Sequence, residues 1–319
     1  MKRVVLLLVS LALLLSLAAC GSPKAPNELD VEATNQPEPS PEITQPPADV
    51  PNSEPPAQTE PPKKEITFTE FIAVDNDKCS IKITGFNPID DDECEIKAEY
   101  ENKSAAETFK FYITSSAING VWCENNGVEE LGPGQQIDTV IQVSKSVFDE
   151  IDVGDFTDIE LCFEVYNSDH PFQPAAAYET VHIYPYGEEE AVTFVREAMP
   201  TDHVIVDNES FSVIVTGYEK NVYMDYITKV FLVNKTDKAV RFDVLNTSLN
   251  GQEIDSLIYH SIVPILAGSC AFSEIVWDYN DLKAAGITEV NEIELTVKAR
   301  DDYDLYAPEY LRETVIFNP

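Results

Sequence analysis

The feature that most restricts the fold of this chain is an internal repetition. Val74-Asp75-Asn76-Asp77-Lys78-Cys79-Ser80-Ile81-Lys82-Ile83-Thr84-Gly85-Phe86 returns 132 residues later as Val206-Asp207-Asn208-Glu209-Ser210-Phe211-Ser212-Val213-Ile214-Val215-Thr216-Gly217-Tyr218. At the same offset Glu99 to Ser104 matches Phe231 to Thr236, sharing Asn-Lys and a hydroxyl residue. Asp158-Ile159-Glu160-Leu161 then matches Glu292-Ile293-Glu294-Leu295, and Val181 to Pro185 matches Val315 to Pro319, both at an offset of 134. Four blocks in one order with so little drift describe a tandem duplication. Each copy, about 120 residues long, suffices for a core of its own. The period is far too long for a solenoid.

Within each copy the hydrophobic period is two. Cys79, Ile81 and Ile83 alternate with polar neighbours, as do Phe211, Val213 and Val215, and the same stripe runs through Ile159, Leu161, Phe163 and Val165 and through Ile293, Leu295, Val297 and Ala299. Such stripes predict half-buried antiparallel strands. On this reading Cys162 faces outward while Cys79 faces the core. Asn119-Gly120 and Asn250-Gly251 supply the positive φ that hairpins need, and Pro133-Gly134 and Ala267-Gly268 mark a further bend. One short helix is expected per copy, over Ser146 to Ile151 and Asn280 to Ala285, with Ser144 or Asp278 as caps. About seven short strands per copy predict an all-β chain of two tandem, immunoglobulin-like antiparallel β-sandwiches, over 65–187 and 188–319 and joined near Gly187 to Pro200.

The N-terminus carries a different message. Lys2 and Arg3 precede an apolar run from Val4 to Ala19 broken only by Ser10 and Ser16. A helix of that length spans roughly 24 Å, short of the ~30 Å hydrocarbon core, which reads as a secretory signal and not as a span. It ends in Leu17-Ala18-Ala19-Cys20-Gly21-Ser22. That ending resembles the lipobox of bacterial lipoproteins. The resemblance implies cleavage after residue 19, a diacylglyceryl group on the Cys20 thiol, and anchoring at the outer face of the cytoplasmic membrane. Two acyl chains matter, because one gives only marginal, reversible binding. Residues 21–64 then hold twelve prolines among polar residues, a composition that predicts a disordered tether with polyproline II character.

The duplicated region is also similar to small Ig-like repeats of Gram-positive surface lipoproteins. The likeness rests on the Asp75 to Asp77 lead-in, the Asn102 to Ser104 turn and the Leu282 to Ile287 helix. It implies a fold and no settled activity. The cysteine-tryptophan-cysteine core of antibody domains is missing.

Chemistry is sparse. The net charge of −36 disfavours nucleic acid and anionic head groups. Beyond Cys20 there are five cysteines, Cys79, Cys94, Cys123, Cys162 and Cys270, an odd number without a CxxC pair. Small buried hydrophobes or, for two of them, a Cys79–Cys94 bridge are the readings. Zinc is not expected, because no two cysteines have ligand spacing and His170, His182, His203 and His260 lie apart. No HExxH, GxSxG, P-loop or GxGxxG occurs, so no catalytic residue, cofactor or enzymatic activity is expected. Asp75, Asp77, Asp301, Asp302 and Asp304 are weak calcium candidates, set against solvated loop charge as the alternative. The loops Asp169 to Tyr178 and Asp301 to Leu311, with tyrosines 178, 184 and 186 and 303, 306 and 310 nearby, are the first guess for a partner surface. The expected function is a noncatalytic binding or adhesion module for an extracellular protein or wall component. A spacer without a ligand is the alternative, and a calcium-dependent binder or an enzyme is more remote.

Overall fold

The computed structural model describes residues 64–145, 151–255, 264–304 and 307–319. The expected signal peptide, Cys20 and the expected tether up to residue 63 lie outside the described residues, as do 146–150 of the first expected helix, His260 and Tyr306. No helix among the described residues is long and apolar enough to cross a membrane.

These residues form an all-β protein. The first copy contributes β1 (Phe71–Asp75), β2 (Cys79–Pro88), β3 (Glu93–Asn102), β4 (Phe109–Ile118), β5 (Val121–Asn125), β6 (Val128–Leu131), β7 (Gln136–Ser144), β8 (Ile159–Asn167) and β9 (Ala177–Ile183). The second contributes β10 (His203–Asp207), β11 (Phe211–Lys220), β12 (Tyr226–Asn234), β13 (Val240–Leu249), β14 (Gln252–Glu253), β15 (Pro264–Ile265), β16 (Cys270–Trp277), β17 (Ile293–Asp301) and β18 (Leu311–Phe317). The two strands per copy beyond the expected number come from short pieces flanking β4 and β13, too brief to carry a readable alternation.

Pairing repeats with the sequence. In the first copy β1-β2-β3-β7 form one antiparallel layer, and β4-β8-β9, with β5 and β6 on the free side of β4, form the other. The second copy arranges β10-β11-β12-β16 and β13-β17-β18 in the same order, with β14 and β15 beside β13. Even the irregularities recur, a register shift between Ile83 and Gly85 in β2 and between Val215 and Gly217 in β11.

Side chains explain why these positions persisted. Asn76 Oδ1 accepts from the backbone N–H groups of Lys78 and Cys79 at 2.8 and 2.9 Å, and Asn208 does the same for Ser210 and Phe211. Lys103 pairs with Asp75, and Lys235 with Asp207, each ammonium also donating to the carbonyl that follows the acid. Asn102 is fully buried and its Nδ2 lies 2.8–3.0 Å from the carbonyls of Glu107, Leu131 and Gly132. Asn234, also fully buried, meets Lys238, Ile265 and Leu266 in the same way. These carboxamides satisfy carbonyls at strand ends and in the turns beside them. Asn119-Gly120 (φ 52° and 78°) and Asn250-Gly251 (φ 53° and 75°) make the expected two-residue hairpin turns.

The expected helix of the second copy forms as α1 (Tyr279–Ala284), with the Asp278 side chain accepting from the Asn280 N–H at 2.7 Å. All five described cysteines are free and buried. The β2–β3 register sets Cys79 opposite Asn102 and Cys94 opposite Pro88, at opposite ends of the hairpin, so no Cys79–Cys94 bridge forms.

Each copy has its own apolar cluster, one around Ile81, Phe111 and Phe163 and one around Phe211, Phe242 and Trp277. The clusters interpenetrate at a junction. Phe231 and Cys270 pack with the first, and Trp122 with the second. Cys270 pairs in parallel with Val121, its N–H donating to Gly120 O at 2.8 Å, so that β5 and β16 join the two copies through one sheet. The connector packs here too: the Phe194 N–H reaches Asn119 O at 2.8 Å, and the Phe194 ring meets Phe272 edge-on.

This junction corrects one expectation. Cys162 does point away from the core of its own copy, but it is wholly buried, in a small cluster with Ala117 and Leu266 flanked by Tyr178 and Ala239. The second copy covers the face that the alternation assigned to water.

Candidate functional site

A cleft of about 440 Å³ opens along this junction. The first copy lines it with Glu160 from β8 and with Tyr178, Thr180 and His182 from β9. The second supplies Asp237, Lys238, Ala239, Ala267, Asp301 and Tyr303.

Antiparallel pairing of β8 with β9 sets Glu160 directly opposite His182. Asp158, just before β8, lies on the other side of the imidazole, with His182 Nδ1 2.9 Å from its Oδ1 and 3.2 Å from its Oδ2. His182 Nε2 is 4.0 Å from Glu160 Oε2, and the His182 ring stacks on Tyr184. Glu160 is only 6% exposed, and its Oε1 accepts from the buried hydroxyl of Ser269 in the second copy at 3.2 Å. Burial pushes the Glu160 carboxyl above its ordinary range, with His182 and Ser269 acting in opposition. The hydrogen bond to Asp158 raises the imidazole of His182. Among the described residues Asp158, Glu160 and His182 form the one group of three side chains that offers ligand atoms within 4.8 Å of one another.

The second half of the cleft is held by Asp302, itself buried. Arg241 donates to its Oδ1 from Nε and Nη2 at 3.0 and 2.7 Å, and the Tyr178 hydroxyl donates to Oδ2 at 3.2 Å. Tyr178 and Tyr303 pack with ring centroids 4.5 Å apart, and Tyr303 Oη accepts from the Ala175 N–H at 3.3 Å. The two loops singled out as a partner surface therefore touch each other. Phe172, at the tip of the first, stands fully exposed.

The weak metal candidates are placed as follows. Asp75 is ion-paired to Lys103, and Asp77 is exposed in the turn before β2. Asp301 accepts from the N–H groups of Tyr303 and Asp304 and from the Tyr310 hydroxyl, so it closes its own loop. Burial works to raise Asp301, yet these donors hold its carboxyl below the usual range. Asp302 is taken up by Arg241 and Tyr178, and Asp304 is exposed. None of the five belongs to the cluster of Asp158, Glu160 and His182.

Sequence reasoning missed that cluster because it looked for ligand spacing along one strand. The usable signal was a charge pair across a hairpin: once Ile159 is set opposite Ile183, Glu160 must face His182.

No family model matches the chain, and no curated protein sequence matches it. Among solved structures it is similar to the exo-chitosanase of Amycolatopsis orientalis, with 10% identity over 69% of this chain and a TM-score of 0.24, and it spans only 25% of the chitosanase. It is also similar to a protein of unknown function from Porphyromonas gingivalis W83, with 14% identity over 78% of this chain and 99% of the other and a TM-score of 0.22. Likenesses at these scores carry no argument about activity.

Proposed function

We propose that this protein is a lipid-anchored extracellular surface protein. Cys20 carries the lipid, the Pro-rich segment up to residue 64 acts as a tether, and the two copies are tandem immunoglobulin-like sandwiches forming a noncatalytic binding module. The observation that carries the anchoring is the Leu17-Ala18-Ala19-Cys20 ending of a charged-then-apolar leader. The strand order β1-β2-β3-β7 against β4-β8-β9, used twice, supports the immunoglobulin-like layout, in which a strand of one sheet is followed in sequence by strands of the other.

The junction supports binding over catalysis. Its serine beside Glu160 is 2% exposed and the imidazole is committed to Asp158, so that hydroxyl is shut away from anything the cleft could receive. The cleft instead offers an open surface of tyrosines and acids drawn from both copies, suited to an extracellular protein or a wall component.

Fractionation of cells expressing the wild type and Cys20→Ala tests the anchor. The wild type is expected in the membrane pellet and the variant in soluble fractions; retention of Cys20→Ala in the pellet would refute the anchor. For binding, immobilised protein is exposed to wall fractions, with Tyr303→Ala as the comparison. Capture weakened by that substitution supports the cleft, equal capture places the partner on another surface, and absent capture favours a spacer.

A further inference from the structure

We infer that the junction edge of the first copy binds a divalent transition-metal ion of the zinc class, with His182 Nε2 and Glu160 Oε2 as ligands and Asp158 as the carboxylate that orients the imidazole. The inference goes beyond the proposed function and does not depend on the lipid anchor.

Asp158 fixes the tautomer of His182. Two oxygens of Asp158 lie within 3.2 Å of His182 Nδ1, so Nδ1 carries hydrogen and donates it. In neutral imidazole the lone pair is then on Nε2, and Nε2 faces Glu160 Oε2 at 4.0 Å. Two acceptors pointing at each other across that gap repel unless a proton or a metal ion lies between them. A proton on Nε2 or on Oε2 is one way to fill the gap, and a metal ion is the other.

Three further observations favour a site built for the metal. Carboxylate, imidazole and an open position follow the arrangement in which ligating histidines are held by an acceptor at their second nitrogen. Glu160 is buried and lines the cleft, and Ser269 occupies only Oε1, while Oε2 receives no hydrogen bond among the described residues. His182 is partly open to solvent and lines the cleft, which gives an ion a way in.

The distance is compatible. Bonds of about 2.0–2.2 Å from zinc to nitrogen and oxygen need roughly 3.4 Å between the ligand atoms at a tetrahedral angle. A side-chain rotation that closes the gap by about half an ångström supplies it. Imidazole in the set favours zinc, copper or nickel over calcium and magnesium, which take oxygen ligands. With two protein ligands, the remaining positions face the cleft and are filled by water or by an acceptor group of whatever the cleft receives.

The test uses the full chain, treated with chelator, and zinc chloride alone as the probe. Calorimetric titration of the wild type is expected to show one ion per chain. His182→Gln and Glu160→Gln are each expected to weaken binding about tenfold or more, and Asp158→Asn by about 10- to 100-fold. His203→Gln is expected to leave the isotherm unchanged. Absence of a one-to-one event, or binding that survives both ligand substitutions, overturns the inference. A second measurement needs no variant: in the ¹⁵N-imidazole spectrum of the wild type, zinc should shift His182 Nε2 while Nδ1 remains hydrogen-bonded. A response confined to the other histidines overturns it equally.

Discussion

The edge hairpins of the two copies share a backbone and differ in what they carry. In the first copy β8 and β9 pair Glu160 with His182; in the second, β17 and β18 pair Glu294 with Ile316 at the same register. Glu160 is buried, whereas Glu294 is half-buried and Ile316 is 62% exposed. The first hairpin is covered by its sibling and holds a polar cluster, while the second faces outward. The repeated scaffold of buried asparagines and Lys–Asp pairs set the fold in both. Divergence concentrated where one copy lies against the other.

The largest expected effect tests whether this junction makes the copies one cooperative unit. Phe111→Ala and Phe242→Ala remove corresponding buried rings, each at a cost of about 3–5 kcal/mol. Because Phe231 and Cys270 of the second copy pack in the first cluster, both variants are expected to lower one shared thermal transition. Two transitions, each moved by one variant, would show the copies to be independent.

Next come the matched carboxamides. Asn102→Ala and Asn234→Ala leave buried carbonyls unmatched, and each is expected to cost about 1–3 kcal/mol in denaturant unfolding. Similar losses would confirm equivalent roles, and a null effect in either would break the correspondence.

Exchanging the edge residues sharpens the contrast directly. His182→Ile leaves the buried Glu160 without its imidazole neighbour and is expected to destabilise by about 1–3 kcal/mol. Ile316→His places the same side chain beside a solvated glutamate, where a surface pair contributes less than about 1 kcal/mol. Equal effects in chemical denaturation would mean that the junction gives the first hairpin no special environment.

The smallest effect concerns the connector. Asp202 accepts from both terminal nitrogens of Arg196, at 2.7 and 2.6 Å, and from the Met199 N–H. The Arg196 hydrogen bond, aided by that N–H, holds the carboxyl below its ordinary value of 3.8. Since the folded value is depressed, the clasp contributes fully above pH 3.8 and its contribution is lost as pH falls through the lowered value. Arg196→Ala should therefore reduce the melting temperature at neutral pH and converge on the wild type in strong acid. A constant difference down to pH 2 would contradict the assignment.

Much of the scaffold was readable from residues alone. Asn-Gly pairs forced the hairpins through positive φ, Asp278 capped the one α-helix among the described residues, and the stripe through Ile81 and Ile83 identified a core face. The junction was not readable in this way. Alternation reports on which side of its own strand Cys162 projects, and it was right about that; it carries no information about what later packs there. Likewise Glu160, His182 and Ser269 are scattered in sequence and meet only through a hairpin register and a contact between copies. Such long-range coincidences leave no local period to detect.

The point where the chain enters the first copy has a mechanical consequence. Thr67 donates its N–H to Pro185 O at 2.9 Å, and Lys64 pairs with Glu190, so the incoming segment is fastened beside the outgoing connector. Tension drawn between the N-terminal side and the second copy is first borne across this short clasp. The hydrogen-bonded interior of the first copy takes the load only after the clasp yields.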